Sequence, residues 1–311
     1  MSTPQNIYWR RRLTLLGVLA LAIIGTAVLI GSGGGQPERT AADDAAVPPP
    51  PVELPRGGRS ILPEFRVVAY YGAPQSRELG ALGIGSPRGA ARRLARQGRP
   101  YGTKRRPVLP ALELITVIAN ADPGDDGMYR SRQRDAVIRR YLRAARRAKA
   151  ILLLDLQPGR SDFFTEATRL EKWLKEPDVS LALDPEWRAH DSEVPGQVIG
   201  HVGAREVNAT SAWLAQLVAK HDLPEKLFVL HQFTFGMITN RAAVVDQPGL
   251  ATVIHVDGFG GRSIKQQKYQ ALKSAPPFAN GLKLFHDEDT DMFTPPDVLA
   301  MVPAPDLVTY Q

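Results

Sequence analysis

Short apolar, β-rich runs recur along the chain, and the longer stretches between them carry apolar residues at helical spacing. The runs are Phe65 to Tyr71, Leu112 to Ala119, Ala150 to Leu156, Val179 to Leu183, Leu227 to Phe233, Ala251 to Asp257, Gly281 to His286 and Leu307 to Tyr310. Between them, Ser161 to Lys175 places Phe164, Ala167, Leu170, Trp173 and Leu174 on one helical face, and Ala204 to Lys220 does the same with Val207, Trp213, Leu214 and Leu217. Alternation of this kind implies right-handed strand–helix–strand crossovers and a parallel sheet. An open doubly wound sheet would carry a glycine-rich phosphate loop after its first strand, where this chain has Tyr71-Gly72-Ala73-Pro74. The pattern therefore predicts an α/β fold, a closed (β/α)8 TIM-like barrel over residues 64–311.

The pattern ahead of the barrel is different. Leu13 to Ile30 is apolar save for two threonines and small residues, and Arg10, Arg11 and Arg12 precede it. This predicts a cytoplasmic basic segment over residues 1–12 and a transmembrane signal-anchor helix over residues 13–31, with the remaining chain exported. The rival is a cleaved signal and a secreted product, but no Ala-x-Ala site closes the run. Residues 32–63, with Gly33-Gly34-Gly35 and Pro48 to Pro51, read as a disordered Gly/Pro-rich linker.

The chain has no cysteine, which excludes disulfides, thiolate nucleophiles and thiolate metal sites. Its net charge of +7 is concentrated in Arg88 to Arg106 and Arg130 to Lys149. These stretches match no nucleic-acid reader motif, and nucleic acid is not an expected partner.

A barrel of this type gathers its chemistry at the C-terminal strand ends. Here those ends hold Tyr70 and Tyr71, then Asp155 and Gln157, then Asp184, Glu186 and Trp187. His231 and Gln232 follow, then His255, Asp257 and Phe259, and then His286, Asp287 and Glu288. Asp184 and Glu186 stand two apart, as do His255 and Asp257, so each pair projects toward one face. Paired carboxylates held close need a proton, a cation or a substrate to relieve their repulsion. Carboxylates at strand ends also cap helices, which accounts for Asp162 and for Asp289 or Asp291. Glu113 and Lys283 interrupt apolar strands, and a buried ion pair across the barrel is one arrangement that would place them. Aromatic rings near the strand ends offer faces on which sugars stack, and the polar segment Arg188 to Gln197 has the length of a loop over the mouth.

Residues 66–311 resemble an uncharacterised actinobacterial family of exported or membrane-anchored proteins. The resemblance lies in Leu154-Asp-Leu-Gln-Pro-Gly-Arg160, Leu183-Asp-Pro-Glu-Trp187, Val256-Asp-Gly-Phe-Gly260 and Lys283-Leu-Phe-His-Asp-Glu-Asp289. In pattern, the rim is also similar to barrel glycoside hydrolases. That likeness implies an acid/base carboxylate at the fourth strand end (Glu186) and a nucleophile at the seventh (Asp287 or Glu288). Asp184-Pro185-Glu186 is similar to the Asp-x-Glu unit of the chitinase-like family, although Val179 and Ala182 stand where that family has two further aspartates.

The leading expectation is a glycoside hydrolase acting on a cell-envelope polysaccharide, without metal or cofactor. Glu186 would be its general acid, and Asp257, Asp287 or Glu288 its nucleophile or base, with Asp184 beside the acid. The remaining named rim residues would bind substrate. One alternative is a metal-dependent barrel hydrolase with Asp184, Glu186, His255 and Asp257 as ligands. Another is a non-catalytic tethered barrel that binds glycan or a partner protein.

Overall fold

The computed structural model describes residues 51–311. The expected membrane helix, its basic flank and most of the linker lie outside the described residues. Among the described residues no helix is long and apolar enough to cross a membrane.

Eight strands coincide with the eight predicted runs to within a few residues. In chain order they are β1 (Arg66–Gly72), β2 (Val108–Ala119), β4 (Ile151–Leu156), β5 (Val179–Leu183), β7 (Lys226–Gln232), β9 (Leu250–Val256), β10 (Ala279–Leu284) and β11 (Leu307–Tyr310). Each pairs in parallel with its neighbours, and the β1–β2 and β1–β11 pairings close the sheet into a barrel. Alternate residues then separate two cores. Val67, Leu109, Ile151, Leu227 and Leu307 fill the lumen, with Ala69, Ala111, Leu153, Ala182, Val229 and Val253. Their sequence neighbours Val68, Leu112, Leu152, Leu181, Phe228 and Ile254 pack outward under the helices. Burial on both faces explains why Ile151-Leu-Leu-Leu reads as one apolar run.

The main helices are α1 (Pro87–Gly98), α2 (Asp135–Arg147), α3 (Phe163–Arg169), α4 (Glu171–Leu174), α5 (Ala204–Lys220), α6 (Arg262–Leu272) and α7 (Pro295–Leu299). Asp162 caps a helix as the sequence suggests, and Ser86 caps another. Ser86 accepts from the Gly89 amide at 3.1 Å ahead of Pro87, and Asp162 accepts from the Thr165 amide at 2.7 Å. Asp289 does not cap a helix; its carboxylate accepts from the Gly260 and Phe285 amides and pairs with Lys265. The helix predicted over Ser161 to Lys175 is broken at Leu170 into α3 and α4.

Three strands are additions to the sequence pattern. β3 (Arg130–Arg132) runs antiparallel to the far end of β2, and β6 (Val202–Gly203) pairs with β8 (Ile238–Thr239). Arg130 and Arg132 hold the fully buried Glu166 at 2.8 and 2.6 Å, so the second basic stretch spends its first two arginines on an ion pair with the fold's interior. Part of the predicted linker is also structural. Leu54 and Ile61 are buried against the lumen's apolar foot, and Glu225 accepts from the amides of Ile61 and Leu62.

Candidate functional site

Above the apolar layers, the inward positions change character. Tyr71, Glu113, Asp155, Asp184, His231, His255, Lys283 and Thr309 come from all eight barrel strands or their ends, continuing the lumen-facing alternation. Asp257 joins them one residue past β9. None of these side chains is open to solvent: Glu113, Asp155, His231, His255 and Thr309 are fully buried, and Asp257 is the most exposed of the ring's acids at 4%.

His231 sits at the centre. Its Nδ1 lies 3.0 Å from Asp257 Oδ2 and its Nε2 lies 3.0 Å from Glu113 Oε1, with Asp155 Oδ1 at 3.8 Å. Lys283 Nζ also meets Asp257 Oδ2 at 3.0 Å and stands 3.6 Å from the centre of the Tyr71 ring. Tyr71 Oη donates to Asp155 Oδ2 at 3.0 Å, approaches Asp184 Oδ2 at 3.5 Å and accepts from Gln157 Nε2. Thr309 Oγ1 donates to Glu113 Oε2 at 3.1 Å. Glu113 and Lys283 are thus both in the lumen, as one sequence reading allowed, but each pairs with a third residue.

These contacts push the groups apart in acidity. Burial alone would raise Asp257, yet the Lys283 ammonium and the hydrogen bond from His231 outweigh it and hold Asp257 well below the usual carboxylate range. Asp155 goes the other way, raised well above its ordinary value by burial and by the neighbouring Asp184 charge. For His231, hydrogen bonds to Asp257 and Glu113 overcome the cost of burial and keep the imidazolium, with both nitrogens donating. His255 is pushed well below its ordinary value by burial and by the charge on His231, whose ring lies 5.0 Å away. Removing one partner of such a buried pair leaves an uncompensated charge, at a cost of about 3–5 kcal/mol.

The predicted site residues divide into three groups. Tyr71, Asp155, Gln157, Asp184, His231, His255 and Asp257 are brought together in or directly above the ring. Glu186 is buried, and Trp187 is half-buried, in a short turn that follows β5 and Asp184; Phe259 is half-buried against Phe285. The others lie elsewhere. Tyr70 points outward against Tyr310, and Gln232 bonds locally to Thr234 and Arg241. His286 stacks on Tyr310 at the surface, Asp287 is exposed, and Glu288 is part-exposed. One position of parity accounts for Tyr70 and Gln232: in a strand the neighbour of an inward residue faces the helices.

Two surface grooves, of about 480 and 410 Å³, lie away from the ring, by Arg56, Arg99 and Lys104 and by Tyr70, Arg93 and Arg96. Above the ring, Tyr71, Ala73 and Ile115 form an apolar cover with Leu79 and Ile118.

Glu113, Lys283 and Thr309 complete the ring without having been expected at the site; interruption of apolar runs marks Glu113 and Lys283 in the sequence, and Lys283 also opens one of the segments that carry the resemblance. Glu113, Asp155 and His231 offer donor atoms within 4.8 Å of one another, so the residues grouped for a cation differ from the Asp184, Glu186, His255 and Asp257 set expected from sequence. No protein-family profile matches this chain, and no curated protein is similar to it.

Proposed function

We propose that the protein is a glycoside hydrolase acting on a cell-envelope polysaccharide, held outside the cytoplasmic membrane by residues 13–31, with its reaction centre at the polar end of the barrel. The observation that carries this reading is the placing of Asp257, whose Oδ2 meets both His231 Nδ1 and Lys283 Nζ at 3.0 Å. A carboxylate fixed by Lys283 and His231 keeps its charge and suits the base that activates water or steadies an oxocarbenium-like transition state. Its counterpart is Glu186, the general acid, at the end of β5 beside Asp184.

The β5 and β9 ends are separated by β7 alone, about two strand spacings or ~9.6 Å along the sheet. Side chains that point inward from such strand ends converge below that backbone spacing, and carboxyl groups roughly 6.5–9.5 Å apart leave room for a water between base and sugar, the arrangement of an inverting enzyme. Asp287 and Glu288, outside the ring, have no part in this assignment. Because the ring is covered, substrate enters when the apolar cover or the loop from Arg188 to Gln197 is displaced.

The closure itself favours one second reading, a tethered barrel that binds glycan at its rim and performs no chemistry. Glu186→Gln in the full-length protein separates the two. The hydrolase reading expects turnover of envelope polysaccharide to fall about 100-fold or more with glycan binding retained. Binding by the unaltered protein with no hydrolysis supports the second reading, and undiminished turnover in the variant removes Glu186 from the mechanism.

A further inference from the structure

The ring's acids outnumber its cations. Glu113, Asp155, Asp184 and Asp257 line one sealed lumen, where Lys283 and His231 pair with acids and the more distant Lys265 and Lys268 also act on Asp257. Lys283 is committed to Asp257. Glu113 and Asp155 lie on the other side of the His231 ring from Asp257.

The hydrogen bonds there have a common form. Each of three residues is anchored by one polar atom and turns its other atom toward the same point. Glu113 Oε2 takes the Thr309 hydroxyl, leaving Oε1 inward. Asp155 Oδ2 takes the Tyr71 hydroxyl, leaving Oδ1 buried and without a hydrogen-bond partner. His231 Nδ1 is oriented by Asp257, leaving Nε2 facing both carboxylates at 3.0 and 3.8 Å. Donors about 2.1 Å from a metal stand about 3.0–3.4 Å apart at octahedral or tetrahedral angles; Nε2 and Glu113 Oε1 stand at 3.0 Å, Nε2 and Asp155 Oδ1 at 3.8 Å, and all three donors lie within 4.8 Å of one another, so a bound cation would draw Asp155 inward by a few tenths of an ångström. A histidine held by a carboxylate on its far nitrogen is the usual outer support of a metal-binding imidazole.

We propose that Glu113, Asp155 and His231 form a divalent transition-metal site in the barrel lumen, with Thr309, Tyr71 and Asp257 as its outer supports. Two carboxylates and one imidazole suit zinc, manganese or ferrous iron better than calcium or magnesium, which favour all-oxygen sets. On binding, the cation takes the place of the Nε2 proton of His231 and of any proton on Asp155, both released to solvent, while Nδ1–H still donates to Asp257. The site stands on this geometry alone and holds whether or not the barrel hydrolyses glycans.

The test is equilibrium dialysis of the full-length protein, stripped with chelator, against Zn²⁺ and Mn²⁺, with thermal unfolding followed in parallel. Uptake of one equivalent and a raised melting temperature are expected, both lost in Asp155→Asn and in His231→Gln. Asp257→Asn, which touches no proposed donor atom directed at the metal, should weaken uptake by about 10- to 100-fold. The half-buried pair His190 and His201, with ring centroids 4.3 Å apart, is the control for adventitious zinc. If uptake follows His190→Ala and His201→Ala, or persists in a folded Asp155→Asn protein, or is absent from the unaltered chain, the site is refuted. Metal uptake without glycan hydrolysis upholds the site and counts only against the hydrolase.

Discussion

His255 is the residue whose setting is hardest to reconcile with simple packing. It is fully buried, held neutral, and neither ring nitrogen has a hydrogen-bond partner. Its ring occupies space that only a glycine opposite can leave, since a Cβ on Gly281 would stand 2.1 Å from His255 Nδ1. Gly281→Ala must therefore drive His255 toward His231, and a loss of about 1–3 kcal/mol is expected, read as a lower denaturant midpoint with an unchanged slope. An unchanged midpoint would show that the histidine has room to move. The same residues show what a sequence can disclose. The two-residue spacing of His255 and Asp257 placed both on one face, and the ring contains both. Gly281 gave no signal, because the contact that demands a glycine comes from another strand.

At the scale of elements, the eight strands were legible because each is buried on both faces and so reads as an apolar run. β3 was not, since Arg-Ser-Arg has no strand pattern and its stability comes from Glu166 on α3. The break between α3 and α4 was likewise hidden, because Phe164, Ala167, Leu170 and Trp173 keep their helical spacing across it. Asp287 and Glu288 misled for a geometric reason: β10 ends at Leu284, so the acids lie beyond the lumen, and Lys283 is the residue that strand contributes. The first residue of β7 offers a test of how firmly a strand end is sealed. Burial lowers Lys226 to about 7, while its ammonium donates to the carbonyls of Glu176 and Val179. A lysine whose folded value lies below its unfolded 10.5 binds fewer protons in the native state through that window. Its penalty is complete below about pH 7 and is relieved as the pH rises toward 10.5, so stability climbs with pH, by about 1.4 kcal/mol per unit at most. Lys226→Met should flatten that climb in urea unfolding between about pH 7 and pH 10; an identical pH profile in the variant would show that Lys226 stays charged in the fold.

Across the whole molecule, the barrel divides its lumen by height. The foot is apolar and plugged by Leu54 and Ile61, whereas the C-terminal end concentrates four acids, two histidines, a lysine and a tyrosine under an apolar cover. Burial of that many ionisable groups costs folding free energy that an all-apolar lumen would not. The proposed reaction and the proposed cation site would each put that charge to use. The fold class, the strand ends and most of the ring could be read in advance from alternation and spacing. The closure of the mouth could not, because it depends on Leu79, Ile115 and Ile118 meeting across loops. The most direct measurement is proton NMR of the sugar anomer first released when the full-length protein is incubated with envelope polysaccharide. Release of the inverted anomer, abolished by Glu186→Gln, is the predicted result; release of the retained anomer, or no hydrolysis at all, would contradict the assignment of Glu186 and Asp257 as an acid and base flanking a water.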